Sequence, residues 1–590
     1  MAKRSHQITY SIKKVIEYST FFVGERPIDV RATLKHFSRS RLIRAAAIFS
    51  HHYGNFSWPN SRQTLFSDIS KKHFQYLDRL FQNYYKREHL DAGQKVEVFT
   101  YRTSLELWRL IFAIKEDEFT EDVEESDVEM LLFRVLLTLN ERVVNFNERE
   151  KQYQLDELLF LNGFLTNDSN RYDFNVIMEA QVYYFWQLVD YIPLNEVLSN
   201  ATEKLFTKWG ITSWKQYFKT ILYLAWETDK YIKQHLNGVP VFKPSQAALE
   251  QDSDNIKTSL IDCLSIEEDA FFPFDEEVDV SSDLNVDYRS FRSKPIVKLK
   301  NGAGYIVINN QLLCERLFNS LYFDFSPLIN GRTGSVGSFD YNKEFIEKTL
   351  FRNTFFSCIA SNIFTFPRRK ENDIEKSHEP DFYVRTKRSE LIIVECKAIK
   401  MNGECRDDGD YARLLDELHE KIVLKTRNLD KRRKEYRGEP EQVGVGQLIH
   451  SINSIEDDSF EWDTNIPDKV VYYPMLVFED VKLVQTGILS IVNRWFYEEI
   501  KRDGKIELSE TAIMPIMVVS INTLYLYNHL LSQRGLCNVI NDFVKETSMF
   551  DSSTGMYRIS PMADFDLYLR RNPFNKKNDV KKWIEMLKSN

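Results

Sequence analysis

In the stretch EPDFYVRTKRSELIIVECKA, residues 379–398, an aspartate opens one short apolar run, and a glutamate and a lysine interrupt the end of the next. Charged groups in an otherwise apolar strand carry a desolvation cost, so Asp381, Glu395 and Lys397 need a chemical reason. Two carboxylates brought together repel unless something neutralises them. A divalent cation does so, and carboxylate oxygens are the ligands Mg²⁺ prefers. A lysine beside such an ion can orient or help deprotonate an attacking water, or balance charge on a phosphate. The chemistry these residue types suit is metal-dependent cleavage of a phosphodiester.

They can act together only if the chain folds back between them. DFYVR (381–385) reads as one strand, TKRS as a turn and ELIIVECK (390–397) as the next. Pairing Arg385 with Glu390 or its neighbours sets Asp381 opposite Val394 or Glu395, where opposed Cβ atoms lie roughly 4.5–5.5 Å apart. Side chains alternate faces along a strand, so Glu395 and Lys397 point one way and Cys396 the other. A second stretch, PDKVVYYPMLVFEDVK (467–482), offers similar residue types in Asp468, Asp480 and Lys482. It lacks turn chemistry, so Asp468 and Asp480 are expected at opposite ends of one extended run, roughly 40 Å apart. Only the first stretch passes on geometry.

Pro-Asp, thirteen residues, then Glu-Cys-Lys behind an apolar run resembles the PD-(D/E)xK nucleases, the restriction-endonuclease-like fold. The resemblance implies Asp381 and Glu395 as Mg²⁺ ligands, with the backbone carbonyl of Cys396 as a further ligand, and Lys397 as base or water-positioner. It implies an acid from the helix before the hairpin in an apolar-Glu-x-x-apolar setting. Glu347, flanked by Ile346 and Leu350, fits better than Glu344, flanked by Lys343. It implies a glutamine on the following helix, matched by Gln447 in GVGQLIHSI. Nucleases of the recombination type carry tyrosine four residues after that glutamine; Ser451 stands there and departs from that subgroup. The resemblance spans roughly residues 330–530 and leaves 1–290 unaccounted for. Mn²⁺ is the expected substitute metal.

The remaining elements must position this hairpin. At 590 residues the chain exceeds one hydrophobic core. Residues 1–245 are expected to form a helical domain, with helices over 126–146, 181–192 and 213–232. Residues 246–290, broken by Pro, Ser and acidic clusters, are expected to be a linker, and 291–590 the nuclease-like domain. The predicted fold class is thus an α/β restriction-endonuclease-like C-terminal domain with a large all-α N-terminal region. Within the former, KPIVKLKNGAGYIVIN (294–309) reads as two strands around a glycine turn. VVYYPMLVFED and IMPIMVVSI read as further strands, with a helix at ILSIVNRWFYEEIKR between them.

Charge is uneven. Residues 291–590 hold 44 Lys+Arg against 43 Asp+Glu, leaving 34 against 44, a net of −10, for residues 1–290. The acidic half should repel nucleic acid, so it is expected to regulate, sense or dock rather than to bind DNA. The acidic stretch 115–129 reads as a solvated loop and helix start. Basic runs at 425–437 and 367–370 suit contacts to phosphates flanking a cut, or equally a solvated helix end. Gly331, Gly334 and Gly337 lack a following GK[ST], so they read as a flexible approach rather than a phosphate loop. His378 reads as incidental, and His450, one turn past Gln447, could face the site.

Six scattered cysteines form no CxxC pair, which argues against a zinc ribbon or disulfide framework and fits a reducing compartment. There is no apolar signal core and no run of 18 apolar residues, so a cytoplasmic protein without a membrane partner is expected. The expected function is a Mg²⁺-dependent deoxyribonuclease acting on DNA in restriction or phage defence. The helical half, a regulatory protein partner or homo-oligomerisation would restrain it. The alternative is a non-catalytic nucleic-acid-binding or assembly protein carrying a nuclease-like remnant.

Overall fold

The computed structural model describes residues 14–52, 71–90, 96–144, 152–166, 174–235, 238–243, 256–273, 288–330, 338–359, 380–401, 411–425 and 441–571. It is a mixed α/β protein with a large helical region. Two compact units divide the chain. One comprises Met1–Arg149, Leu165–Ser338 and Val580–Asn590, the other Glu150–Phe164 and Phe339–Asp579.

In the first unit the helices Val128–Val144, Phe174–Tyr191 and Trp214–Gln234 lie close to their predicted spans. Ser213 caps the last by accepting the Gln216 N–H, the role a serine favours ahead of a helix. The acidic stretch 115–129 is tied to basic side chains by Lys35–Glu118, Arg39–Glu116 and Arg41–Glu125 pairs, as a solvated loop would be.

Two expectations are corrected here. The first concerns the all-α description of residues 1–245, which hold a short parallel pair, Lys14–Val15 with Val96–Glu97; the strands expected within 294–309, Ile296–Leu299 and Gly304–Val307, join Ser265–Glu267 in a sheet of this same unit. Ile266, Val297 and Ile306 are buried in the same core as Leu107, Trp108 and Phe133. The second is the boundary at residue 290, which lies instead near 338. The presumed linker supplies the helix Thr258–Cys263 and one strand of that sheet, since its apolar residues Leu260, Ile261 and Ile266 repay burial despite their acidic neighbours.

The second unit is built on a five-stranded sheet. Phe382–Arg385 at one edge pairs antiparallel with Glu390–Lys397. Glu390–Lys397 runs parallel to Val471–Phe478, which also pairs in parallel with Ala512–Ile513 and Met517–Ser520. Leu391 to Val394 and Met475 to Phe478 are fully buried, as near-continuous apolar runs should be in strands covered on both faces. The helices Val445–Glu456 and Ile488–Asp503 cover one face: the Tyr472 hydroxyl donates to Glu456, and Leu476 touches Gly444. Phe355 packs on Phe382 on the other face, where Tyr473 bonds Asn541. The decoy stretch forms a single extended strand over Val471–Phe478, as its missing turn chemistry predicts.

The helix Leu155–Thr166 comes from the sequence's N-terminal half, yet its residues up to Phe164 belong to the second unit. Arg494 binds Asp156 and Glu157 there, and the Tyr411 hydroxyl donates to Asn162 at 2.6 Å. Residues 150–164 had been expected in the helical domain.

Candidate active site

The hairpin closes through Thr386. Its N–H donates to the Glu390 carbonyl at 2.9 Å, its hydroxyl donates to the Glu390 carboxylate, and Ser389 turns the chain at φ 59°. The register is therefore Arg385 with Leu391 and Phe382 with Val394, not Arg385 with Glu390. Continued by one residue, it sets Asp381 opposite Glu395, one of the two expected placements. Tyr383 and Arg385, on the Asp381 face, both bind the carboxylate of buried Asp463, at 2.9 and 2.6 Å. Sequence spacing offered no signal for this anchor, because residue 463 lies in an irregular loop.

Asp381 and Glu395 are each already engaged by the chain. Asp381 Oδ2 accepts the Cys396 N–H at 2.7 Å. Lys397 Nζ donates to Glu395 Oε2 at 3.0 Å. Glu395 is only 1% exposed, and its second oxygen, Oε1, is buried without a hydrogen-bond partner. Leaving a buried carboxylate oxygen unpaired is expensive, so this atom marks the position at which a further positive group would be stabilising.

Glu347 reaches the same place from the helix Tyr341–Phe351, where its carboxylate faces the Ala398 backbone N–H. Burial, then the field of Asp381, pushes Glu347 up to about 7. Burial pushes Glu395 up to about 8, with Lys397 opposing and Asp381 and Glu347 adding to the rise. Burial alone would lower Lys397, but Glu395, Asp381 and Glu347 outweigh it and hold the ammonium well above its usual range. Glu344 pairs instead with Lys348 at 2.6 Å, so of the two candidate acids Glu347 is the one that faces the hairpin. Asp340, which caps this helix, adds its field to Glu347 and was missed in the sequence because it precedes the motif's helix.

Gln447 stands on the same sheet face as Glu395. Leu476 pairs with Glu395 and lies 3.3 Å from where a Gly444 side chain would begin, just ahead of Gln447's helix. The Gln447 side-chain oxygen is used locally, accepting the Gly444 N–H at 2.8 Å. Ser451 is buried and donates to the Gln447 carbonyl. The Cys396 side chain is fully buried on the opposite face, and burial raises its thiol well above the ordinary range. Cys396 can thus offer an ion its backbone carbonyl but not its sulfur. Past the strand end, Lys400 and buried Glu479 form a second ion pair at 2.7 Å.

Among the described residues, no group of three or more His, Cys, Asp or Glu side chains stands close enough to cage an ion. The donor set nevertheless fits a hard divalent cation. It is all oxygen, it includes an orphaned buried carboxylate oxygen, and its carboxylates face a single ammonium. The basic runs 426–437 and 367–370, the glycines 331, 334 and 337, and His378 lie outside the described residues. Among the described residues, no helix is long and apolar enough to cross a membrane. The chain matches no protein-family model, no curated protein and no solved structure.

Proposed function

We propose that the second unit is a Mg²⁺-dependent nuclease of the PD-(D/E)xK type that hydrolyses DNA phosphodiesters. The observation that carries this reading is the convergence of Asp381, Glu395, Lys397 and Glu347 on one end of the sheet, with Glu395 Oε1 buried and unpaired. That end is the carboxyl end of the parallel strands, where open α/β sheets bind ligands. Asp381 and Glu395, with the Cys396 carbonyl, would hold the ion, and Glu347 would complete the charge balance. Bound there, the ion supplies Lewis-acid stabilisation of the phosphate and a more acidic water.

The chain's own residues do the rest. Lys397, kept protonated by its three carboxylate neighbours, donates hydrogen bonds and orients water or phosphate rather than abstracting a proton. The Cys396 N–H fixes the Asp381 carboxylate so that its other oxygen is presented without rotamer search. Glu347, pushed up to about 7, can accept or hold a proton near neutrality. Restriction or phage defence, with restraint by the helical unit, a partner protein or a second copy, is the biological setting we infer.

Metal dependence separates this reading from a binding remnant. With a chelator present, a nuclease stops cutting DNA and resumes when Mg²⁺ is restored. A protein that binds DNA equally well with and without Mg²⁺, and never cuts it, would overturn the proposal.

A further inference from the structure

The helix that carries Glu347 is not an α-helix: Tyr341–Phe351 is π-helical over 11 residues. Such runs are rare, usually a single turn, and cluster at functional sites. Here the i→i+5 repeat extends to a side chain, since the Thr349 hydroxyl donates to the Glu344 carbonyl five residues back, at 3.1 Å. The consequence concerns two residues spaced by five. Asn342 Nδ2 donates to the Ala398 carbonyl at 3.1 Å, while the Glu347 carboxylate faces the N–H of the same residue. In an α-helix, residues five apart point about 140° away from each other. The i→i+5 hydrogen bonding of a π-helix stacks them on one face, where both can meet the backbone of one residue, Ala398.

We propose that Asn342 is a positioning residue: with Glu347, one π turn on, it clasps Ala398 and so fixes where Lys397 ends its strand. Ala398 directly follows Lys397 and leaves the sheet. Without the clasp its peptide has no partner on this helix, and Lys397 gains freedom about the Glu395 contact. The π register is thereby explained, because relaxation to an α-helix would keep at most one of the two contacts. Asp340, which accepts the Lys343 N–H at 3.0 Å, starts the helix in the phase that allows both. This inference deepens the nuclease reading of the site but rests on contacts that exist with or without a metal.

The test uses the full chain with Asn342→Ala and Asn342→Asp, the second retaining size while removing the donor. Hydrogen exchange at the Ala398 amide, read without metal, is expected to speed at least tenfold in both variants, with exchange in the strand Val471–Phe478 unchanged. In metal-loaded cleavage, kcat is expected to fall 10- to 100-fold with KM for DNA within about twofold, as for a misplaced catalytic group. Unchanged Ala398 exchange in both variants overturns the clasp whatever the cleavage data show, and so does a change confined to KM. Faster Ala398 exchange in a wild-type background that never cuts DNA would instead retain the clasp and defeat the nuclease reading.

Discussion

Binding of a divalent cation to the carboxylates must displace the protons they hold, and the number displaced follows from the site. Burial and mutual repulsion set Glu347 to about 7 and Glu395 to about 8. The pair then holds nearly two protons at pH 6, about one at pH 7 and almost none at pH 9. Binding is therefore weaker at low pH, by on the order of tenfold or more at pH 7 relative to pH 9. The same linkage acts on the fold. The folded carboxylates keep protons that the unfolded chain releases near 4.5, so metal-free stability is greatest below that value. It is lost as pH rises through about 7 and 8.

Calorimetric titration with Mn²⁺ in two buffers of different ionisation enthalpy counts the protons released. Glu395→Gln and Glu347→Gln should each cut the release at pH 7, the second also by lowering Glu395, which Glu347 helps to raise. A release below about 0.3 at pH 7, or one independent of pH, would refute the raised acidities and the shared site built on them.

Three other outcomes are expected. Asp463→Ala strips partners from buried Tyr383 and Arg385 and should cost about 2–4 kcal/mol; unchanged urea denaturation and unchanged exchange across 382–385 would remove its role as the hairpin's anchor. Gly487 has φ 102°, and a Cβ there would lie 2.1 Å from the Asp156 carbonyl, so Gly487→Ala should displace the helix Leu155–Thr166 and open it to limited proteolysis. A digestion pattern equal to wild type would contradict the docking of that helix in the second unit. Cys396 is fully buried and Cys263 half-buried, so in the native protein a thiol reagent should label Cys263 before Cys396; early labelling of Cys396 would contradict the strand's orientation.

The hairpin was legible in the sequence because it is local. Alternation assigns Glu395 and Lys397 to one face, and the absence of turn residues marks 467–482 as holding one strand, Val471–Phe478, rather than a hairpin. Glu347 could be preferred over Glu344 from its apolar flanks, a helical-pattern signal, even though the helix proved π rather than α. What escaped depends on contacts distant in sequence. Asp463 meets Tyr383 and Arg385 across some eighty residues without a motif, and Asn342 reaches Ala398 only through the π register. The division of the chain near residue 338 was not legible from composition, because Ile266, set among acidic residues, enters a core.

The decisive measurement is cleavage of plasmid and linear DNA with Mg²⁺ or Mn²⁺ by wild type, Asp381→Ala and Lys397→Ala, compared at matched folding. Metal-dependent cutting by wild type that is lost in both variants is the predicted result. Equal cutting by all three would assign the activity elsewhere and contradict the hairpin as the active centre.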